Sequence, residues 1–70
     1  MHLYLKTNIK HLRIKSNLTQ TELANRTDTS KTTIQKYEYG DRTPRIEHIV
    51  TLAQIFDVTL DDFVLKDLAK

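Results

Sequence analysis

Apolar side chains recur along this chain in short groups at helical spacing, and each group is bounded by residues that start or stop helices. Leu5, Ile9 and Leu12 stand at i, i+4 and i+7, on one face of a helix. Ser16 and Asn17 follow, and asparagine tolerates the left-handed conformation that ends helices, so a first helix is predicted to stop there. Thr19-Gln20-Thr21-Glu22 has the form of a capping box, in which the threonine hydroxyl accepts from the Glu22 amide and the Glu22 carboxylate reaches back to the Thr19 amide. A second helix is therefore predicted from Gln20 to about Arg26 or Thr27, with Leu23 and Ala24 inward. Ser30 can cap a third helix from Lys31 to Glu38, with Ile34 and Tyr37 inward and Gly40 closing it.

Only Thr27 to Ser30 separate the second and third helices, which is the sequence form of a helix-turn-helix. After the basic loop Asp41-Arg42-Thr43, the pair Thr43-Pro44 reads as an N-cap followed by proline in the first helical turn, where its missing amide is harmless. Ile46, Ile49, Leu52, Ala53 and Phe56 then repeat at helical spacing to about Asp57. Thr59-Leu60-Asp61-Asp62 opens a fifth helix with two acids near its positive end, and Phe63 is its expected core anchor. No stretch alternates apolar and polar over strand length, and no linker or repeat interrupts the chain. The expected fold is all-α, a compact five-helix bundle forming one domain over residues 1–70.

Seventy residues with no cysteine, one glycine and one proline exclude a disulfide framework and a loop-rich chain. No apolar run approaches a membrane span, and the first residues lack a long hydrophobic signal stretch, so a soluble cytoplasmic protein is expected. The net charge of +2 says little, but its distribution says more. Residues 1–45 carry nine basic side chains against four acidic ones, a net of +5, whereas residues 46–70 carry two against five, a net of −3. A basic front and an acidic back would orient the molecule on a polyanion.

Catalytic and metal chemistry are thin. His2, His11 and His48 show no i, i+4 pairing and have no cysteine partner, so neither a metal site nor a cofactor is expected. A phosphate-binding glycine loop and a nucleophile elbow are both missing, and an enzyme is not expected. The third helix offers different chemistry. Lys31, Thr32, Gln35 and Lys36 share a face opposite Ile34 and Tyr37, and these residue types match the acceptors, amides and methyl groups displayed in the major groove of DNA. Ser30, Thr33, Tyr39, Arg42 and Arg45 flank that helix as candidate phosphate contacts. Gln20 stands where a helix start can grip a phosphate.

Arg13, Leu18 to Ala24, Ser30, Ile34, Glu38-Tyr39-Gly40, Pro44 and Leu52-Ala53 through Val58-Thr59 together resemble the phage repressor and Cro family of helix-turn-helix regulators, also called the xenobiotic response element family. The likeness spans roughly residues 5–65. It departs from the family at Asp28 and Thr29, where glycine and an aliphatic residue are usual. The resemblance implies a lambda-repressor-like DNA-binding domain in which Lys31, Thr32 and Lys36, with Gln35 beside them, make base contacts. It further implies that Gln20 binds a phosphate and braces the first reading side chain, and that Arg13 and Glu38 form a partly buried ion pair fixing the reading helix. The implied function is a repressor that binds a palindromic operator in double-stranded DNA as a homodimer, for which Leu60, Leu65 and Leu68 are spare apolar residues. An antitoxin that masks a protein partner and binds its own operator secondarily is the alternative. Either a complete protein or the first domain of a longer repressor fits this length.

Overall fold

The computed structural model describes residues 3–70 and contains five helices: α1 Leu5–Lys15, α2 Gln20–Arg26, α3 Lys31–Tyr39, α4 Ile46–Phe56 and α5 Leu60–Leu65. Three of them begin on hydroxyl caps. Thr19, Ser30 and Thr59 accept from the amides of Glu22, Thr33 and Asp62, which satisfies donors that a helix start leaves unpaired. The capping box at α2 is complete, with the Thr19 amide donating to Glu22 Oε1 at 2.9 Å. Four helices are closed by a residue in the left-handed region: Asn17 (φ 58°), Asp28 (φ 55°), Gly40 (φ 83°) and Asp57 (φ 56°). At each, the next amide returns to a carbonyl five residues back, as in Leu18 N to Arg13 O and Thr29 N to Ala24 O.

The apolar stripes meet in one core of Leu5, Ile9, Leu12, Leu18, Leu23, Ala24, Ile34, Tyr37, Leu52, Ala53 and Phe63. Helix α3 packs on α1 and α2, while α5 bridges α1 and α4. Asn8 is wholly buried inside this apolar set. Its amide donates to Phe63 O at 2.8 Å and Lys66 O at 2.7 Å, and its Oδ1 accepts from the Leu68 amide at 2.9 Å. One side chain thus satisfies carbonyls that the six-residue α5 leaves open and ties the end of the chain to α1.

Three expectations need correction. Helix α4 starts at Ile46 with Arg45 as its N-cap, so Thr43 does not cap it and Pro44 is not in its first turn. Pro44 is buried in the loop, at the position before the cap, with the half-buried Ile49 at the matching staple position. Ile46 is consequently 61% exposed rather than inward. Leu68 is not spare, because it packs against the core and its amide is held by Asn8. Among the described residues, no helix is long and apolar enough to cross a membrane, and no cluster of histidine and acidic side chains is arranged to hold a metal. His2 lies outside the described residues. His48 shares a 2.7 Å hydrogen bond with the Tyr37 hydroxyl, linking α4 to α3.

Candidate nucleic-acid interface

The turn between α2 and α3 works because its residues use their own backbone economically. Asp28 takes the left-handed position, the Thr29 amide closes on Ala24 O at 2.9 Å, and Ser30 is already the cap of α3. Buried Thr27 strengthens the corner by donating its hydroxyl to Leu23 O at 3.0 Å. The outcome is a helix whose inner face is spent on Ile34, Tyr37 and Glu38 and whose outer face is open to solvent.

Lys31, Thr32 and Lys36 are exposed on α3, Gln35 is half-buried beside them, and Tyr39 projects with 74% of its surface free. Ser30 and Thr33 are engaged with each other, their hydroxyl oxygens 2.9 Å apart. Arg42 and Arg45 are exposed in and after the following loop. Arg45 reaches Glu47 only at 4.0 Å, a surface pair of little energetic weight.

Behind the outer face of α3 lies a polar junction of three helices. Arg13 Nε donates to Glu38 Oε2 at 2.6 Å and its Nη2 to Oε1 at 3.2 Å, while Nη1 holds Leu18 O at 2.9 Å. Gln20 Nε2 donates to the same Glu38 Oε1 at 3.2 Å. The carboxylate of Glu38 is almost fully buried, with 4% of its side chain exposed, and Arg13 shows 13%. Three donors on one buried carboxylate answer its desolvation and lock α1, the start of α2 and the end of α3 together.

Above this junction opens a cleft of about 610 Å³ that brings together Gln20, Lys31 and Tyr39 with Lys10 of α1. Arg42 lies elsewhere, in a smaller pocket of about 180 Å³ with Lys6, Thr43 and Pro44. Two features escaped the sequence analysis. The i, i+3 spacing of Lys10 from Arg13 could have placed Lys10 near this cleft. No local pattern could have paired Tyr37 with His48. Glu22, the acid of the capping box, is held below the ordinary glutamate range first by the Thr19 amide, then by the Thr19 hydroxyl, with Arg26 adding a smaller pull.

Two short capped helices at a tight corner, with a braced second helix, are the signature of one domain type, and a helix-turn-helix family model matches residues 9–63. The chain belongs to the helix-turn-helix family. Its type is that of the phage repressors and Cro. Among curated relatives, this helix-turn-helix chain is 36% identical over 56 residues to the HTH-type transcriptional activator BcrR of Enterococcus faecalis, covering 80% of this chain and 28% of BcrR. It is 33% identical over 63 residues to an HTH-type transcriptional regulator of Archaeoglobus fulgidus, covering 90% of this chain and 89% of that one. The fold is shared with a transcriptional regulator from Listeria innocua, at TM-score 0.86 and 23% identity over 91% of this chain and 60% of that one. It is also shared with the P22 c2 repressor solved on a synthetic operator, at TM-score 0.84 and 21% identity over 96% of this chain and all of that one. The helix-turn-helix chain thus spans little more than a quarter of BcrR and about three-fifths of the Listeria protein. The family and its relatives are transcriptional regulators and not enzymes.

Proposed function

We propose that this helix-turn-helix protein is a sequence-specific, double-stranded-DNA-binding transcriptional regulator, and specifically a repressor that grips a palindromic operator as a two-fold dimer. The observation that carries the reading is the outer face of α3. Lys31, Thr32 and Lys36 have no structural duty there, on a helix braced from behind through Glu38. Inserted in a major groove, Lys31 would donate to guanine O6 and N7, Gln35 would pair with adenine, and Thr32 would meet a thymine methyl. Lys36, one turn from Thr32, would reach the neighbouring base pair.

Phosphates would be held around that helix. Gln20 keeps one amide hydrogen beyond the bond to Glu38, and it stands at the start of α2, where free backbone amides favour an anion. Ser30, Thr33, Tyr39, Arg42 and Arg45 would extend the grip along both strands. Pairing through the exposed Leu60 and Leu65 of α5 would set two reading helices about 34 Å apart, one turn of DNA. A cytoplasmic site of action accords with such a role.

Selection of binding sites from random duplex DNA tests the reading directly. An enriched two-fold-symmetric sequence with half-sites about one turn apart is expected, and a pool that stays random would refute sequence reading. In a reporter with that site overlapping the promoter, supplying the protein should lower expression, as suits a protein folded like the P22 c2 repressor. A rise would instead make it an activator, the role named for BcrR.

A further inference from the structure

Helix α1 carries Lys6, Lys10, Arg13 and Lys15 and no acid. Arg13 is committed to Glu38, whereas no ion pair engages Lys6 or Lys10 among the described residues. Both lysines are exposed and stand one turn apart on the side of α1 that borders α3. Lys10 lines the cleft that holds Gln20, Lys31 and Tyr39. Lys6 lies across the C-terminal end of α3, so close that a Cβ added at Gly40 would sit 2.8 Å from Lys6 Cδ, and it shares the adjoining pocket with Arg42. Glycine at position 40 therefore lets the lysine stem pass over the end of the reading helix.

We propose that Lys6 and Lys10 form a second phosphate-binding ridge, which runs along α1 and joins the start of α2 to the loop after α3. Its occupant is the sugar–phosphate backbone of the duplex whose bases α3 reads, so the inference rests on the DNA-binding reading. Charge is the first ground. Like charges at i, i+4, with Arg42 close to Lys6, repel one another, and a row of anions relieves that repulsion. Continuity is the second, because each lysine shares its depression with a residue of the proposed interface, Lys10 with Lys31 and Lys6 with Arg42. Dimensions are the third. Four residues of helix rise about 6 Å, and strand charges recur about every 3.4 Å of DNA axis, so the two ammonium groups reach phosphates one or two nucleotides apart.

The test measures affinity of the full chain for its selected duplex over a series of sodium chloride concentrations. The wild type is compared with Lys6→Gln/Lys10→Gln and with Lys66→Gln/Lys70→Gln from the acidic end of the chain. The α1 double variant should lower the slope of log affinity against log salt by about 1.8, near 0.9 per lost phosphate contact, with ratios among single-base site variants unchanged. The control pair should leave the slope as it was. Should the double variant melt early, Lys10→Gln alone should still lower the slope by about 0.9. A slope equal to wild type, or the same change in the control pair, overturns the ridge. Altered discrimination among site variants overturns it too, since the lysines would then read bases. Failure of the wild type to bind any duplex sinks the DNA reading itself, before any variant is compared.

Discussion

Glu38 shows how one nearly buried carboxylate supports a surface through the partners it holds. Removing it by Glu38→Ala leaves the Arg13 guanidinium, 13% exposed, and the Gln20 amide without their acceptor. Breaking such a pair costs about 3–5 kcal/mol, a large part of the roughly 4–10 kcal/mol that a domain of this size commands. Urea denaturation should show that loss in Glu38→Ala and a much smaller one in Glu38→Gln, which keeps an acceptor; equal stability of all three proteins would mean the junction is energetically idle. Side chains on the outer face obey other rules. Lys31→Ala should cost about 1–3 kcal/mol at the preferred operator and relax discrimination at one or two base pairs per half-site. Arg42→Ala should weaken every sequence alike, because phosphates are the same at each step. Isotherms at one salt concentration separate the two, and a uniform loss from Lys31→Ala would reassign it to the backbone.

Helix ends dominate at the scale of elements, since α2 and α5 have only seven and six residues. Helices this short are marginal alone and depend on caps and packing. Left-handed closures fall on asparagine or aspartate three times and on glycine once. Asp28→Gly should therefore raise stability slightly, whereas Gly40→Ala should lower it by about 1–2 kcal/mol from its φ of 83°, the exposed Lys6 stem overhead being free to shift aside. Thermal melts of the two variants moving in the same direction would contradict this. The capping box adds a pH dependence. Because Glu22 has its folded pKa lowered, its contribution is fully present above the unfolded value and fades as pH falls through the folded one. Wild type should lose more stability over that acid range than Glu22→Gln, as measured by denaturant titration at a series of pH values; parallel curves would rule out the contribution.

As a whole molecule, the chain sets a net +5 over residues 1–45 against a net −3 over residues 46–70, with α3 in the first part and α5 in the second. That arrangement would present the basic side to DNA and leave α5 for a second copy of the chain. Leu60 and Leu65 are 42% and 50% exposed on that helix. Two copies joined there would bind only with half-sites in phase. Inserting about five base pairs, half a helical turn, between the half-sites should abolish tight binding, and a full turn should restore part of it. Gel-shift affinities that ignore the insertion would mean that monomers bind independently.

Local chemistry explains why so much was legible beforehand. Caps and left-handed closures act over three to five residues, so Thr19, Ser30, Gly40 and Thr59 mark helix ends in the sequence, and periodicity gathers Leu5, Ile9, Leu12, Leu23, Ile34, Leu52 and Phe63 into one core. What remained hidden depends on partners distant in the chain. Asn8 lies on the inward stripe of α1, yet a polar residue there has no evident purpose until Phe63, Lys66 and Leu68, 55 to 60 residues away, supply its hydrogen bonds. Tyr37 and His48, eleven residues apart on different helices, meet only in the folded chain. Pro44 reads as a helix start by type, but it is buried in the loop, and the helix begins two residues on, at Ile46, which stays in solvent. The sequence determined where four of the five helices begin and where each ends, because those interactions are local; the start of α4 is the exception. Tertiary packing decided which polar groups are buried, what holds α3 from behind and which cations flank it, because those depend on surfaces that come together only in the folded chain.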